Sequence, residues 1–390
     1  MKISTRIVGS LFIVVILLFS TEFGAYVLVE FLVSKRAAYL VYQKPNFTEG
    51  GYKAYLNVRD PQLGWPTTTA LKSAVYDSSG SRPIPAFPEP GQECVTIYGD
   101  SFTYGSEVSD KDAWGNVLAK GLQCRVGNFG VPGYGTDQAL LRFQENRQDI
   151  APVSILGIFP HNVLRNVNQY RYLLAPSKET SYRFKPRFIL KKGQLHRIPL
   201  PEPSFSRLKA LDTQMSQMLP HEAFLPGNGT GPVPKKQFFY SFTALKLLLN
   251  ERVQNWVLKK PSWEVFTRRN HSSGASEITV AVVQGFMEEC KKRGKNCFIV
   301  TFPTPSSYKK FAMSGRLSMA TILKRFDGLG IPYLTFESYI SENLKEEKLC
   351  DLLTNPEKCA GHLNREGSQV LAEFLSTYII QNSMLGSKKI

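Results

Sequence analysis

The chain is 390 residues long and 43% hydrophobic, and its 48 basic against 32 acidic side chains give a formal net charge of +16. That size and apolar content allow one large domain with insertions, or two domains, and no internal repeat is evident. The charge suits an anionic polysaccharide or a lipid headgroup. No nucleic-acid-binding motif and no metal-ligand spacing occurs, and much of the charge lies in scattered pairs such as Lys191-Lys192 and Lys259-Lys260, which read as a solvated face.

The N-terminus reads as a membrane segment. Ile7 to Phe19 is almost wholly apolar, and after Ser20-Thr21-Glu22 the apolar character resumes from Phe23 through Val33. Glu22 and Glu30 are its only acids; Lys2 and Arg6 precede it, and Lys35-Arg36 follow. The length suits a spanning helix better than the short apolar region of a cleaved signal, and no small-x-small cleavage site stands near its end. Residues 1–36 are therefore expected to anchor the chain. The remainder is expected on the exported, periplasmic or extracellular, side.

Residues 37–92 read as a linker, rich in Pro, Gly and Ser. Regular alternation begins at Cys94. Strands are expected at Val95–Tyr98, Arg125–Phe129 and Val153–Phe159, with helices at Trp114–Gly121 and Thr136–Arg147 between them. Residues 165–270 are basic, aromatic and irregular, with a hairpin over Arg183–Ile198 turning at Lys192-Gly193 and an amphipathic helix over Phe238–Val257. Alternation then resumes: helix Ser276–Arg293, strand Cys297–Phe302, helix Leu317–Asp327, strand Pro332–Phe336 and helix Asn364–Ile380. Strands separated by helices predict a three-layer α/β/α domain on a five-stranded, parallel, doubly wound sheet. It would span residues 93–385 with an insertion at 165–275.

All six cysteines lie outside the membrane segment, as three sequence neighbours: Cys94 and Cys124, Cys290 and Cys297, Cys350 and Cys359. As disulfides they would fit an exported domain.

Chemistry concentrates where strands end. Gly99-Asp100-Ser101-Phe102-Thr103-Tyr104-Gly105 follows the first strand and places a serine at a strand-to-helix turn. A Gly-rich run from Gly127 to Thr136 follows the second, Gly157-Ile158-Phe159-Pro160-His161-Asn162 the third, and Gly361-His362-Leu363-Asn364 comes near the C-terminus. Ser101 is a weak nucleophile unless a base takes its proton, and His362 is of the type that does so near neutral pH. The N–H groups of Ser101 and Gly133 and the Asn162 amide are candidate donors to an oxyanion. Asp100, Tyr134 and His161 are candidate substrate contacts. Tyr104, Arg165 and Asn166 are weaker ones.

These four stretches resemble the blocks of the SGNH (GDSL-type) hydrolases. Gly99-Asp100-Ser101 matches the first block. Asn128 to Gly135 resembles the second, with Gly133 as its oxyanion glycine. Asn162 matches the third, in Pro160-His161-Asn162-Val163 where the family usually reads Gly-x-Asn-Asp. His362 matches the last. The resemblance covers about residues 93–165 and 276–380 and implies an acyl-Ser101 intermediate, with no cofactor and no metal. It departs at Cys359, where the family carries the aspartate that orients the histidine. A backbone carbonyl would then hold His362 in a Ser-His dyad, or Asp351 or Glu357 would swing in, though their spacing does not match.

With the anchor, export and basic charge, the expected function is a serine esterase acting on O-acyl groups, notably O-acetyl, of a cell-envelope carbohydrate or glycolipid. A polysaccharide O-acetyltransferase with the same site is the alternative. From another class, a non-catalytic carbohydrate-binding protein on a degenerate hydrolase fold would explain the missing aspartate.

Overall fold

Five short strands form one parallel sheet in the computed structural model, which describes residues 5–73, 75–234, 239–344 and 349–386. The strands are β1 (Glu93–Tyr98), β2 (Arg125–Asn128), β3 (Val153–Ile158), β4 (Asn296–Thr301) and β5 (Tyr333–Thr335). Their spatial order is β2-β1-β3-β4-β5, every pair parallel. The order reverses beside β1, and in open sheets of this kind ligands bind outside the strand ends at that switch point.

The sheet is buried on both faces, which is why β3 and β4 read as nearly continuous apolar runs rather than alternating ones. Val95 and Ile97 of β1 face a layer holding Trp114, Leu118, Leu371 and Leu375, from the helices Trp114–Leu122 and Arg365–Gln381. On the other face Tyr98 packs against Phe143, which packs against Phe286, at ring distances of 5.0 and 4.7 Å. These two phenylalanines belong to the helices Thr136–Glu145 and Ala275–Lys292. Thr96 and Tyr98 reach the buried Asp149 carboxylate through their hydroxyls, at 2.8 and 2.9 Å. Lys295 Nζ pairs with the same carboxylate at 2.8 Å.

The strands and the flanking helices fall within a few residues of their expected positions. Other segments differ. The expected helix over 238–257 is two helices, Tyr240–Leu248 and Glu251–Val257, because the Asn250 side chain caps the second by accepting from Arg252 N at 3.0 Å. Phe238 itself lies outside the described residues. The hairpin pairs Arg187–Lys191 with Gln194–Ile198 around Lys192 and Gly193, both at positive φ. Helices also occupy Glu49–Val58, Pro305–Ser314 and Phe336–Asn343, where none was expected.

The chain divides into two compact units: Met1–Tyr52, Tyr170–Arg183 and Pro203–Ser262 form one, and Lys53–Gln169, Phe184–Glu202 and Trp263–Ile390 the other. Neither the linker 37–92 nor the insertion 165–275 stands as one body. Residues 53–92 join the sheet unit because their charges are satisfied there. Arg82 donates to Asp110 Oδ1 at 2.7 Å and to Tyr104 O, Gly105 O and Val108 O, while Asp77 and Glu93 pair with the buried Arg125. The hairpin is held there by Lys185, whose ammonium meets Asp137 at 2.5 Å with both side chains fully buried. Three carbonyls, of Arg165, Asn168 and Pro186, share its two remaining protons.

The first unit contains the helix Thr5–Leu40, whose stretch Ile7–Leu32 has 26 residues and a mean hydropathy of 2.3. At 1.5 Å per residue that stretch is about 39 Å long, more than the hydrocarbon thickness of a bilayer. The three disulfides pair as sequence neighbours: Cys94–Cys124, Cys290–Cys297 and Cys350–Cys359. Among the described residues no cysteine is free.

Candidate active site

Ser101 opens a one-turn helix, Ser101–Tyr104, directly after β1. Asp100 caps it, its Oδ1 accepting from Phe102 N at 2.9 Å, and Gly105 ends it in the left-handed conformation. Gly99 admits this sharp turn because a Cβ there would stand 2.8 Å from the backbone oxygen of Gly157 on β3. The turn leaves the Ser101 hydroxyl half-buried, 2.9 Å from His362 Nε2.

The other ring nitrogen of His362 faces a carboxylate the sequence reading did not name. Nδ1 lies 2.9 Å from Glu107 Oε1. The ring N–H does not aim along that line, so the contact is electrostatic rather than an aligned hydrogen bond. Glu107 Oε2 accepts from Thr354 Oγ1 and, at 3.3 Å, from His362 N. The acid, the histidine and the serine thus form one chain. A proton kept on Nδ1 by the nearby carboxylate charge leaves Nε2 as the acceptor for Ser101.

Burial works to raise the Glu107 carboxyl, but the hydrogen bonds from Thr354 and His362 outweigh it and hold the group below the usual carboxylate range. Glu107 therefore stays ionised at neutral pH. The expected substitutes, a bare carbonyl, Asp351 or Glu357, are not what faces the imidazole. Glu107 lies only six residues past Ser101, but at φ 72°, a backbone state that sequence does not announce for glutamate.

His362 sits on a small antiparallel pair, Leu353–Asn355 with Ala360–Leu363, which the Cys350–Cys359 disulfide closes. Cys359, where the resemblance led one to expect an aspartate, serves this covalent frame instead. Gly361 is required beside the histidine: it holds φ 95°, and a Cβ would lie 2.0 Å from Thr354 Oγ1 and 2.9 Å from Glu107 Oε2.

Asn162 begins the one-turn helix Asn162–Arg165. Its Oδ1 accepts from Phe159 N at 2.6 Å, and its Nδ2 donates to Asp100 Oδ2 and Tyr134 O, both at 3.0 Å. Arg165 Nη1 donates to the same two oxygens, at 2.8 and 2.9 Å. This mesh ties together the loops after β1, β2 and β3. Asn128 adds a further tie, donating from Nδ2 to Thr103 O at 3.0 Å and accepting from Gly130 N at 3.0 Å.

Two candidate substrate contacts take other roles. Asp100 is 1% exposed, its carboxylate spent on the helix cap, Asn162 and Arg165. Tyr134 is 0% exposed, packed edge-on against Trp65 at 5.6 Å and donating from its hydroxyl to Trp65 O at 2.5 Å. Neither side chain meets solvent, so neither touches a solute in this conformation. Tyr104 is likewise engaged, under the Arg82 guanidinium at 4.5 Å. Gly133 is half-buried at φ 86°, facing the Trp65 ring. His161 is half-buried and stacks on Phe159 at 5.0 Å. Phe159 stacks on Phe102 at 4.2 Å, and Phe102 abuts the His362 ring at 4.8 Å. An aromatic row therefore leads from the His362 imidazole to His161. Among the described residues no group of three His, Cys, Asp or Glu side chains is placed to hold a metal ion.

No family model and no curated protein matches the chain. Among solved structures it is similar to a protein assigned to the G-D-S-L lipolytic family from Desulfitobacterium hafniense, at 12% identity and a TM-score of 0.33, over 73% of this chain and 97% of that one. A protein from Lactobacillus plantarum gives 10% identity and a TM-score of 0.34, over 75% and 99%.

Proposed function

We propose that the chain is a membrane-anchored serine ester hydrolase of the SGNH type. One observation carries this reading: Ser101 Oγ is 2.9 Å from His362 Nε2 while Glu107 faces the opposite ring nitrogen. Ser101 Oγ attacks the ester carbonyl as Nε2 takes its proton. The tetrahedral oxyanion collapses, and the imidazolium returns that proton to the departing alcohol. Water, deprotonated by His362, then attacks acyl-Ser101 and releases the carboxylic acid and the free serine. Glu107 stabilises the imidazolium in both halves.

The N–H groups of Ser101 and Gly133 and the Asn162 amide are assigned as oxyanion donors. Asn162 enters that role by releasing Asp100 Oδ2, which Arg165 continues to hold. The substrate class assigned is the O-acetyl group of an envelope carbohydrate or glycolipid. The apolar helix Ile7–Leu32, the three disulfides and the net charge of +16 support an exported domain working among anionic glycans. Glu107 removes the main support for a degenerate, non-catalytic fold.

A serine-reactive fluorophosphonate, followed by mass spectrometry, tests the chemistry. The expected result is one adduct on Ser101 that His362→Ala suppresses. Folded protein that binds glycan without forming the adduct would refute an enzyme of either kind. Release of acetate from acetylated glycan then supports the esterase, and acetyl transfer to an added sugar acceptor without acetate supports the transferase.

A further inference from the structure

Among the described residues outside the N-terminal helix, seven of the twelve exposed large apolar side chains fall in one segment. Phe239, Phe242, Leu245, Leu248, Leu249, Val257 and Leu258 are each more than half exposed. The first four recur every three residues, so they form one stripe along and just before the helix Tyr240–Leu248. The opposite side of that helix is apolar too, with Ala244 and Leu247 buried in a cluster with Val29 and Leu32 of the anchor. A helix that is apolar on both sides is ordinary inside a protein or a membrane and costly in water.

This helix lies along the exit end of the apolar span, within the first unit. Tyr240 meets Tyr26 edge-on at 5.0 Å, and Ser241 N donates to Glu22 Oε2 at 3.4 Å. Glu22 is an acid within the apolar stretch, where a carboxylate needs a partner, and Ser241 supplies one. About 20 residues cross the hydrocarbon core, so Ile7–Tyr26 suffices and the helix Tyr240–Leu248 falls at the interface. The tyrosine pair is the residue type enriched at that depth. Lys246, Lys259 and Lys260 are exposed on the same two-helix segment, as anionic headgroups would favour.

We infer that the segment from Phe239 to Lys260 is a second membrane contact, whose exposed apolar stripe beds in the headgroup boundary of the bilayer that the anchor crosses. The anchor then does not act as a loose tether: the first unit is held against the lipid at two points, and its orientation to the surface is fixed. This inference rests on reading Thr5–Leu40 as a membrane anchor.

The full-length chain tests it. Because the described cysteines are all in disulfides, Leu245→Cys offers a single thiol for an environment-sensitive fluorophore, and Lys192→Cys on the exposed hairpin turn is the control. Both are reconstituted into phosphatidylcholine–phosphatidylglycerol vesicles. The label at 245 should be blue-shifted, quenched several-fold more by headgroup-proximal nitroxide lipid than the label at 192, and shielded from iodide. Iodide quenching equal at both sites would overturn the inference. So would protection of 245 from iodide and nitroxide lipid alike, which would mean that protein covers the stripe. Flotation of the full chain with the vesicles separates the two readings: without flotation the anchor reading fails, and flotation without lipid quenching at 245 overturns this inference alone.

Discussion

Replacing Glu107 with glutamine removes one charge from beside His362 and keeps the length of the side chain. An amide oxygen still accepts from Thr354 Oγ1 and His362 N, so the loop should hold its shape. What is lost is attraction for the imidazolium. Across the 2.9 Å from Nδ1 to Oε1, a unit charge pair is worth about 1.4 kcal/mol in water and about 5.7 kcal/mol at an effective dielectric constant of about 20. The Glu107 side chain is 48% exposed, so screening places it near the lower figure. The expected loss in kcat/KM is about ten- to hundredfold, well short of the ~10⁴-fold seen for a buried triad acid. Hydrolysis of an activated acetate ester reads it directly, with Ser101→Ala as the zero and a thermal melt confirming the fold. Because the folded Glu107 carboxyl is depressed, its stabilising contribution is complete above its unfolded value and fades only as pH falls through the lower folded one. Titration of Glu107 itself should therefore add no pH dependence to the deficit above about pH 5. Activity within about twofold of the parent at every pH would refute the role given to Glu107.

Other substitutions probe the frame. Cys350→Ser with Cys359→Ser opens a loop of sequence separation 9, which chain entropy values at about 2.6 kcal/mol. Denaturant unfolding should show at most that loss, while kcat falls further because His362 loses its support. Gly361→Ala puts a methyl group against Thr354 Oγ1 and Glu107, so it should depress kcat more than KM and leave the sheet's melting transition nearly unchanged. Asp137→Ala strands the buried Lys185 ammonium and should cost about 3–5 kcal/mol in urea unfolding. Adding Lys185→Met should recover most of that loss, and a double variant no more stable than the single would count against the pair. Glu337 is pushed up by burial, against hydrogen bonds from Ser318, so Glu337→Gln should gain stability relative to the parent as pH rises above about 5.

The sheet was legible because its strands are buried on both faces. Val95–Tyr98, Val153–Ile158 and Cys297–Thr301 are apolar runs with helical periodicity between them, and a parallel doubly wound sheet follows from that alternation. Ser101 was legible as a candidate for a related reason, since it follows one of those strands, and His362 as a candidate base from its residue type. The break at Asn250 was missed although an asparagine cap is a local signal, because the apolar period runs through it.

Glu107 was not legible. It meets His362 across 255 residues, and its approach depends on a left-handed backbone at residue 107 and on a disulfide-closed hairpin around Gly361. The division of 37–92 and 165–275 between two units was hidden in the same way. It depends on where Arg82, Arg125 and Lys185 find buried partners, and ion pairing over such separations leaves no period in the chain. Sequence alone determined the α/β layering and the apolar N-terminal helix and named Ser101 and His362 as candidates, since each follows from local pattern. The tertiary structure decided which carboxylate faces the imidazole, because that depends on distance in space and not on spacing along the chain.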